Sequence, residues 1–166
     1  MRWVVAVIVA SAACAGATTR LENRTFDTPV CDNQSLVIYT ENVFVNSIAS
    51  IAASAKVPSL PQIPRAGMQL PLNMRDIQVA LVRQYPPDLR DAGVGSKGTM
   101  LVVIDTVGVV VAKQMVTSTG FASFDRVALS VIGQAKFNPA VLEGCRVHGV
   151  IGFPVEFKSD GLRSGW

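Results

Sequence analysis

Two apolar, β-branched runs near the middle of the chain constrain its fold more than any other feature. They occupy residues 99–105 and 109–117, and only Thr106-Val107-Gly108 separates them. Strand-forming runs joined by so short a glycine-containing loop pair with each other as a β-hairpin. The rest of the domain must therefore be built around an antiparallel pair of strands.

Helical patterns flank the hairpin on both sides. Ile77, Leu81 and Val82 predict a short helix that a double proline stops, and residues 88–92 predict one more helical turn. After the hairpin, a longer run of apolar residues recurs at the spacing of one helix face. These residues are Phe124, Val127, Ala128, Val131, Ile132 and Ala135. The sequence thus predicts one helical region before the hairpin and one after it.

The end of the chain has the period of a strand. Between residues 147 and 157 apolar side chains or glycine occupy every second position, which indicates a strand with one face on a core. Pro154 lacks an N–H group, so we expect this strand at a sheet edge. The order helix, strand, strand, helix, strand predicts an α+β fold, a small three-stranded antiparallel sheet with two helices on one face.

Composition excludes several classes of function. Of 166 residues, 49% are apolar and 16% are charged, and the formal net charge is +3. A core can be buried, and the scattered basic residues do not form the footprint of a nucleic-acid-binding protein. With His148 as the single histidine and no nucleophile elbow or paired carboxylates, we expect no enzyme, no cofactor and no metal. A secreted hydrolase is the less favoured alternative.

The first residues form an export signal. Arg2 precedes an uncharged stretch, residues 3–19, whose apolar part gives way to small residues and to Ala15-Gly16-Ala17. This pattern predicts a signal peptide of residues 1–17, hence an exported protein. Two alternatives stay open: an uncleaved membrane anchor, and lipidation at Cys14 after the small residues Ser11-Ala12-Ala13. Only these alternatives place the protein on a membrane.

Export makes a disulfide bond between Cys31 and Cys145 reasonable, because both lie in polar, turn-like contexts. The alternative is two separate thiols. Residues 18–74 are expected to form an N-terminal leader. It holds one or two strands in residues 36–45, an ambiguous stretch in 47–55, and a proline-rich connector in 58–71. Residues 75–158 are the predicted domain, and residues 159–166 a flexible tail.

A series of short motifs in this domain resembles the TonB C-terminal domain family in order and spacing. The motifs are Gln84-Tyr85-Pro86, Gly98, Asp105-Thr106-Val107-Gly108, Ser118-Thr119-Gly120, Phe124-Asp125, Lys136-Phe137-Asn138-Pro139-Ala140 and Phe153-Pro154-Val155-Glu156-Phe157. The resemblance covers about half of the chain. It implies a periplasmic protein-binding module.

The resemblance implies that the last strand pairs with an extended segment of a TonB-dependent outer-membrane receptor, by β-augmentation. It places the partner contacts at Gln84, Tyr85, Val147, His148, Val150, Gly152 and Glu156. The energy transducers of the family that this chain resembles have a membrane anchor with a functional histidine and a long proline-rich spacer. This chain has no histidine before His148. An accessory or structural envelope protein without energy coupling is therefore the alternative, and a homodimer formed by strand pairing is a further one.

Overall fold

A computed structural model describes residues 27–30, 36–39, 45–57, 62–65 and 69–158. The predicted signal peptide, Cys14, Cys31 and the C-terminal tail lie outside these residues. The helices are α1 (Val45–Ser54), α2 (Met74–Arg83), α3 (Pro87–Asp91) and α4 (Ala122–Ile132). The strands are β1 (Leu36–Tyr39), β2 (Gln62–Arg65), β3 (Ser96–Ile104), β4 (Val110–Thr117), β5 (Ala140–Leu142) and β6 (Cys145–Phe157).

The predicted hairpin and the last strand form the centre of the sheet. β3 pairs antiparallel with β4 on one side and with β6 on the other. All nine residues of β3 pair with β6. Asp105 closes the hairpin because one of its carboxylate oxygens accepts hydrogen bonds from the N–H groups of Val107 and Val109, each at 2.9 Å. The α+β class and the β-hairpin predicted from the sequence are confirmed.

The prediction of a three-stranded antiparallel sheet is wrong in both the number and the direction of the strands. The sheet is mixed, with the order β2-β1-β6-β3-β4, and β5 pairs with β6 beside this path. β1 runs parallel to β6, and β2 runs parallel to β1. All four residues of β1 are buried, as expected for a parallel strand that is covered on both faces.

Part of the proline-rich stretch is a strand rather than a connector. Pro64 lies in β2, opposite Ile38 of β1. A proline fits there because β2 is the outermost strand on its side within the described residues, so its nitrogen need not donate to another strand.

Helices cover both faces of the sheet, which corrects the prediction of helices on one face. The first face packs against α2 and α4 through buried side chains such as Leu81 and Phe124, with Leu89 of α3 partly buried beside them. The second face packs against α1, where Ile48 and Ile51 contact the cluster that includes Val150 of β6. The stretch 47–55, which was ambiguous in the sequence, therefore lies mostly in α1, a helix with one buried face.

Candidate functional site

The last strand changes its surroundings halfway along its length. Residues 148–151 of β6 pair with β1 on one side, and residues 149–151 also pair with β3 on the other. Residues 152–157 pair with β3, and within the described part of the chain no strand pairs with their other side. The prediction that the whole strand lies at an edge is therefore wrong, and the edge is limited to these six residues, which we call the open edge.

Pro154 indicates which backbone groups face outward along the open edge. It lies opposite Thr99 of β3 and is exposed. A proline is tolerated in a paired strand when its nitrogen points away from the neighbour, and backbone groups two residues apart point to the same side. The groups of Gly152 and Glu156 therefore also face outward, so the open edge offers three carbonyls and two N–H donors.

A groove of about 330 Å³ lies beside the open edge, where β6, β3 and β4 meet. Its walls include Thr99, Thr117 and Pro154. At one side the carboxylate of Glu156 lies 3.2 Å from the Lys97 ammonium and 4.0 Å from that of Lys158. The groove thus combines an apolar wall with a solvent-accessible pair of opposite charges.

Tyr85 is a core residue next to the end of the open edge. Its side chain is 8% exposed, and its ring packs edge-on against Phe124 and Phe157, with centroids 5.1 and 5.7 Å away. Its hydroxyl donates to the carbonyl of Val94. The contacts assign Tyr85 a packing role, and they bring exposed Gln84, which ends α2, close to the end of β6.

The remaining predicted contact residues separate into two groups. Val147 and Val150 are buried, and His148 lies opposite Leu36 in the section that β1 covers. Gly152 and Glu156 lie on the open edge. The structure thus leaves Gln84, Gly152 and Glu156 accessible at one end of the sheet. Missing from the sequence prediction were Lys97 and Thr99, which form the groove because β3 pairs with β6 in the observed register.

Two of the family-like motifs meet around Asp125, at the start of α4. Burial acts to raise the pKa of Asp125, but hydrogen bonds from the Ser118 hydroxyl, the Thr119 hydroxyl and the Thr119 N–H outweigh it and leave the pKa lowered. The three donors lie 2.6, 2.7 and 2.9 Å from its oxygens. These motifs hold the turn between β4 and α4, so their role is structural.

The other end of the sheet carries a half-buried, disulfide-bonded Cys145. It follows the turn between β5 and β6, in which Glu143 and Gly144 both have positive φ, as in a two-residue hairpin turn. Next to it, Arg146 donates from its backbone N–H to the carbonyl of Pro29 at 2.8 Å. The segment before β1 is therefore held against the start of β6.

Neither a metal centre nor a membrane span is found in the parts of the chain that the structure describes. No three His, Cys, Asp or Glu side chains come together there as a metal-binding group. None of the helices there has the length and apolar character that crossing a bilayer requires.

Comparisons with known proteins match the C-terminal half of the chain. Residues 82–159 match the sequence profile of the family described as Gram-negative bacterial TonB protein C-terminal. Protein TonB of Vibrio cholerae serotype O1 is 34% identical over 80 residues, which are 47% of this chain and 32% of that protein. The chain thus matches about a third of the length of this curated relative. A solved structure of the TonB2 protein from Vibrio anguillarum matches 45% of this chain and 71% of its own, with 28% identity and a TM-score of 0.36.

Proposed function

We infer that this chain, whose residues 82–159 belong to the TonB C-terminal domain family, is a binding module of a Gram-negative cell envelope that adds an extended partner segment to its sheet. The observation that supports this function best is the open edge, residues 152–157 of β6. Its backbone groups on the outer side have no neighbouring strand among the described residues. A partner strand would continue, along β6, the pairing that β1 makes with residues 148–151.

The number of outward-facing backbone groups limits the strength of such pairing. Each hydrogen bond contributes about 1 kcal/mol net, so the open edge can supply roughly 3–5 kcal/mol before the cost of ordering the partner. The missing N–H of Pro154 leaves one position of the partner without a donor. We therefore propose a weak, reversible contact that side chains strengthen, with Gln84 and Glu156 as the accessible ones.

A TonB-dependent outer-membrane receptor is the partner that the family relationship favours, and the periplasm is the matching location. A second copy of this chain is the alternative occupant, because an open edge also pairs with itself. That outcome would favour the accessory or structural envelope protein.

We also propose that Cys145 pairs with Cys31. Cys145 is disulfide-bonded, and the residues that follow and precede these two cysteines, Arg146 and Val30, are neighbours in a parallel bridge. Intact mass with and without reductant, followed by identification of the linked peptides, tests the pairing. A linked peptide pair without Cys31 would contradict it.

Photo-cross-linking in cells tests the binding function. A benzophenone amino acid replaces Glu156 or Gln84, and matched controls carry it at exposed Val79 of α2 or Ser50 of α1. We expect Glu156 and Gln84 to give the same adduct with an outer-membrane receptor, and the controls to give none.

A cross-link only between two copies of this chain would replace the receptor with the homodimer. Equal adducts from Glu156 and Val79 would contradict a specific edge contact.

A further inference from the structure

Exposed apolar side chains gather at the end of the sheet that is opposite the open edge. Nine large apolar residues of the described chain are exposed, and five of them lie where β3 ends and β6 begins. These five residues are Val30, Leu72, Val107, Val109 and Val141, and their surface is called the hairpin pole below. Single exposed apolar residues are common, whereas a group at one place marks an interaction surface.

One half of the hairpin pole is connected through the segment after α4. Leu72 donates its N–H to the carbonyl of Lys136 at 2.6 Å, and Lys136 forms a β-bridge with Val109. Phe137 donates its N–H to the carbonyl of Gly108 at 2.9 Å. Leu72 and Val109 are therefore adjacent parts of one surface, and their side chains are 38% and 36% exposed.

Arg146 connects the other half. Its guanidinium donates to the carbonyls of Thr28 and Thr106, at 2.7 and 3.1 Å. In the ladder it pairs with Val141 on β5 and forms a bridge with Val30. Val30 and Val141 are 53% and 37% exposed, and Val107 follows Thr106 with 50% exposure. The hairpin loop, the start of β6 and the segment before β1 thus share one exposed apolar end.

The chain that precedes the described residues joins the domain at this same end. Residues 27–30 lie against the start of β6, and upstream of them lie Cys14 and the apolar residues 3–10. If Cys14 is acylated, the 13 residues from Cys14 to Asp27 span at most about 45 Å. An anchor at either place would therefore connect to the domain at the hairpin pole rather than at the open edge.

We propose that the hairpin pole rests on the surface of the membrane that holds the N-terminus, with its valine and leucine side chains in the interfacial region of the lipids. This inference rests on a retained anchor or an acylated Cys14, the two alternatives to a cleaved signal peptide, and it is independent of the proposed binding function. Apolar side chains on a tethered domain partition into the interface because burial removes them from water. β3 spans about 30 Å, so the open edge would point away from the lipid and stay accessible to a partner.

Tryptophan fluorescence in vesicles tests this contact. The natively processed chain is purified from the envelope and reconstituted into phosphatidylcholine–phosphatidylglycerol vesicles, with and without brominated acyl chains. Trp3→Phe and Trp166→Phe remove the native tryptophans. A single new tryptophan then replaces Val107 or Leu72 at the hairpin pole, or Val79 or Phe121 as an equally exposed control elsewhere.

We expect brominated lipid to lower the emission of the Val107→Trp and Leu72→Trp proteins by about twofold or more, and to leave both controls nearly unchanged. Circular dichroism confirms that each variant is folded, and Val141→Trp replaces either pole variant that is not. Equal quenching at all positions, no quenching at the pole, or failure of the protein to float with the vesicles would each overturn the proposal. None of these variants alters Gln84, Gly152 or Glu156, so a cross-link from the open edge reports the binding function separately.

Discussion

The two ends of the sheet are held in different ways. At the hairpin pole, Arg146, the disulfide-bonded Cys145 and the contact between Gly108 and Phe137 tie several chain segments to one another. At the opposite end, the Asp125 cluster and Tyr85 fix the turns and helix ends, but no strand of the described chain pairs with the outer side of residues 152–157 of β6. The contrast teaches that one strand can be central to the core at its start and offer a binding edge at its end.

The N-terminal unit of β1, α1 and β2 sets the boundary between these two roles. β1 pairs with residues 148–151 of β6, and α1 covers the second face of the sheet beside them. A partner segment that pairs in the same plane therefore meets about six residues of β6 and stops at Tyr39, the last residue of β1.

Replacing Gly108 should give the largest loss of stability. Gly108 has φ +83°, and a Cβ atom there would lie 2.0 Å from the carbonyl oxygen of Phe137. Gly108→Ala must therefore adopt a strained φ and push apart the hairpin and the segment after α4, at about 3–4 kcal/mol of unfolding free energy. Urea unfolding followed by circular dichroism measures it.

Gly120→Ala is the matched control for this variant. Gly120 has φ +85°, but nothing lies within 4 Å of its added Cβ. It should lose only the cost of the backbone conformation, about 1 kcal/mol. Equal losses in the two variants would show that the contact with Phe137 does not tie the hairpin pole together.

Amide hydrogen exchange compares the two halves of β6 directly. The Val150 N–H faces the side that β1 covers, whereas the Gly152 and Glu156 N–H groups face the open edge. Val150 should exchange about a hundredfold or more slowly than either, because its opening requires the loss of β1. Slow exchange at Gly152 and Glu156 in the free protein would mean that the open edge is already covered, which would contradict the proposed docking position.

Removing the Asp125 carboxylate should loosen the end that carries the open edge. Asp125→Ala loses the hydrogen bonds from Ser118 and Thr119, and we expect a cost of about 1–2 kcal/mol because the carboxylate is only partly buried. The same urea experiment measures it, with Asp91→Ala as a control in an exposed helix end. A loss no greater than that of the control would show that the cluster does not hold the turn.

The lowered pKa of Asp125 also gives a dependence on pH. Its ordinary value is 3.8, and the folded value is lower, so its contribution is fully present above the unfolded pKa and is lost as pH falls through the folded one. Below about pH 4 the wild-type protein should therefore lose stability more steeply than Asp125→Ala. Parallel acid profiles of the two proteins would contradict this assignment.

Local patterns predicted the elements of the C-terminal half because the period of a helix or strand is visible in its own residues. The hairpin, α4 and the strand period of β6 follow from alternation, helical spacing and glycine positions. The parallel pairing of Leu36 with His148 has no local signal, since the two residues are 112 positions apart. The sequence of residues 36–39 predicts a strand, but nothing in it indicates which strand is the partner.

The candidate site was predictable only in part for the same reason. Gln84, Gly152 and Glu156 were identified through a resemblance in motifs, and they are accessible. Tyr85 belongs to the same motif as Gln84, but its ring packs against Phe124 and Phe157. The sequence pattern does not distinguish this buried position from an exposed one. The extent of the open edge depends on where β1 stops, at Tyr39 opposite Ile151, and the residues of β6 alone do not show this.

The charged pair at the groove should have the smallest effect on stability. The Lys97 and Glu156 side chains are 76% and 35% exposed, and exposed pairs contribute about 0–1 kcal/mol. Glu156→Gln should therefore change the unfolding free energy by less than about 0.5 kcal/mol, with Glu143→Gln as a surface control at the other end. If Glu156→Gln still abolishes the cross-link that a probe at Gln84 makes to its partner, the carboxylate contacts the partner rather than the fold. If both stability and cross-link are unchanged, the Glu156 carboxylate does not contribute to binding, and the backbone of the open edge is the remaining contact that β6 offers.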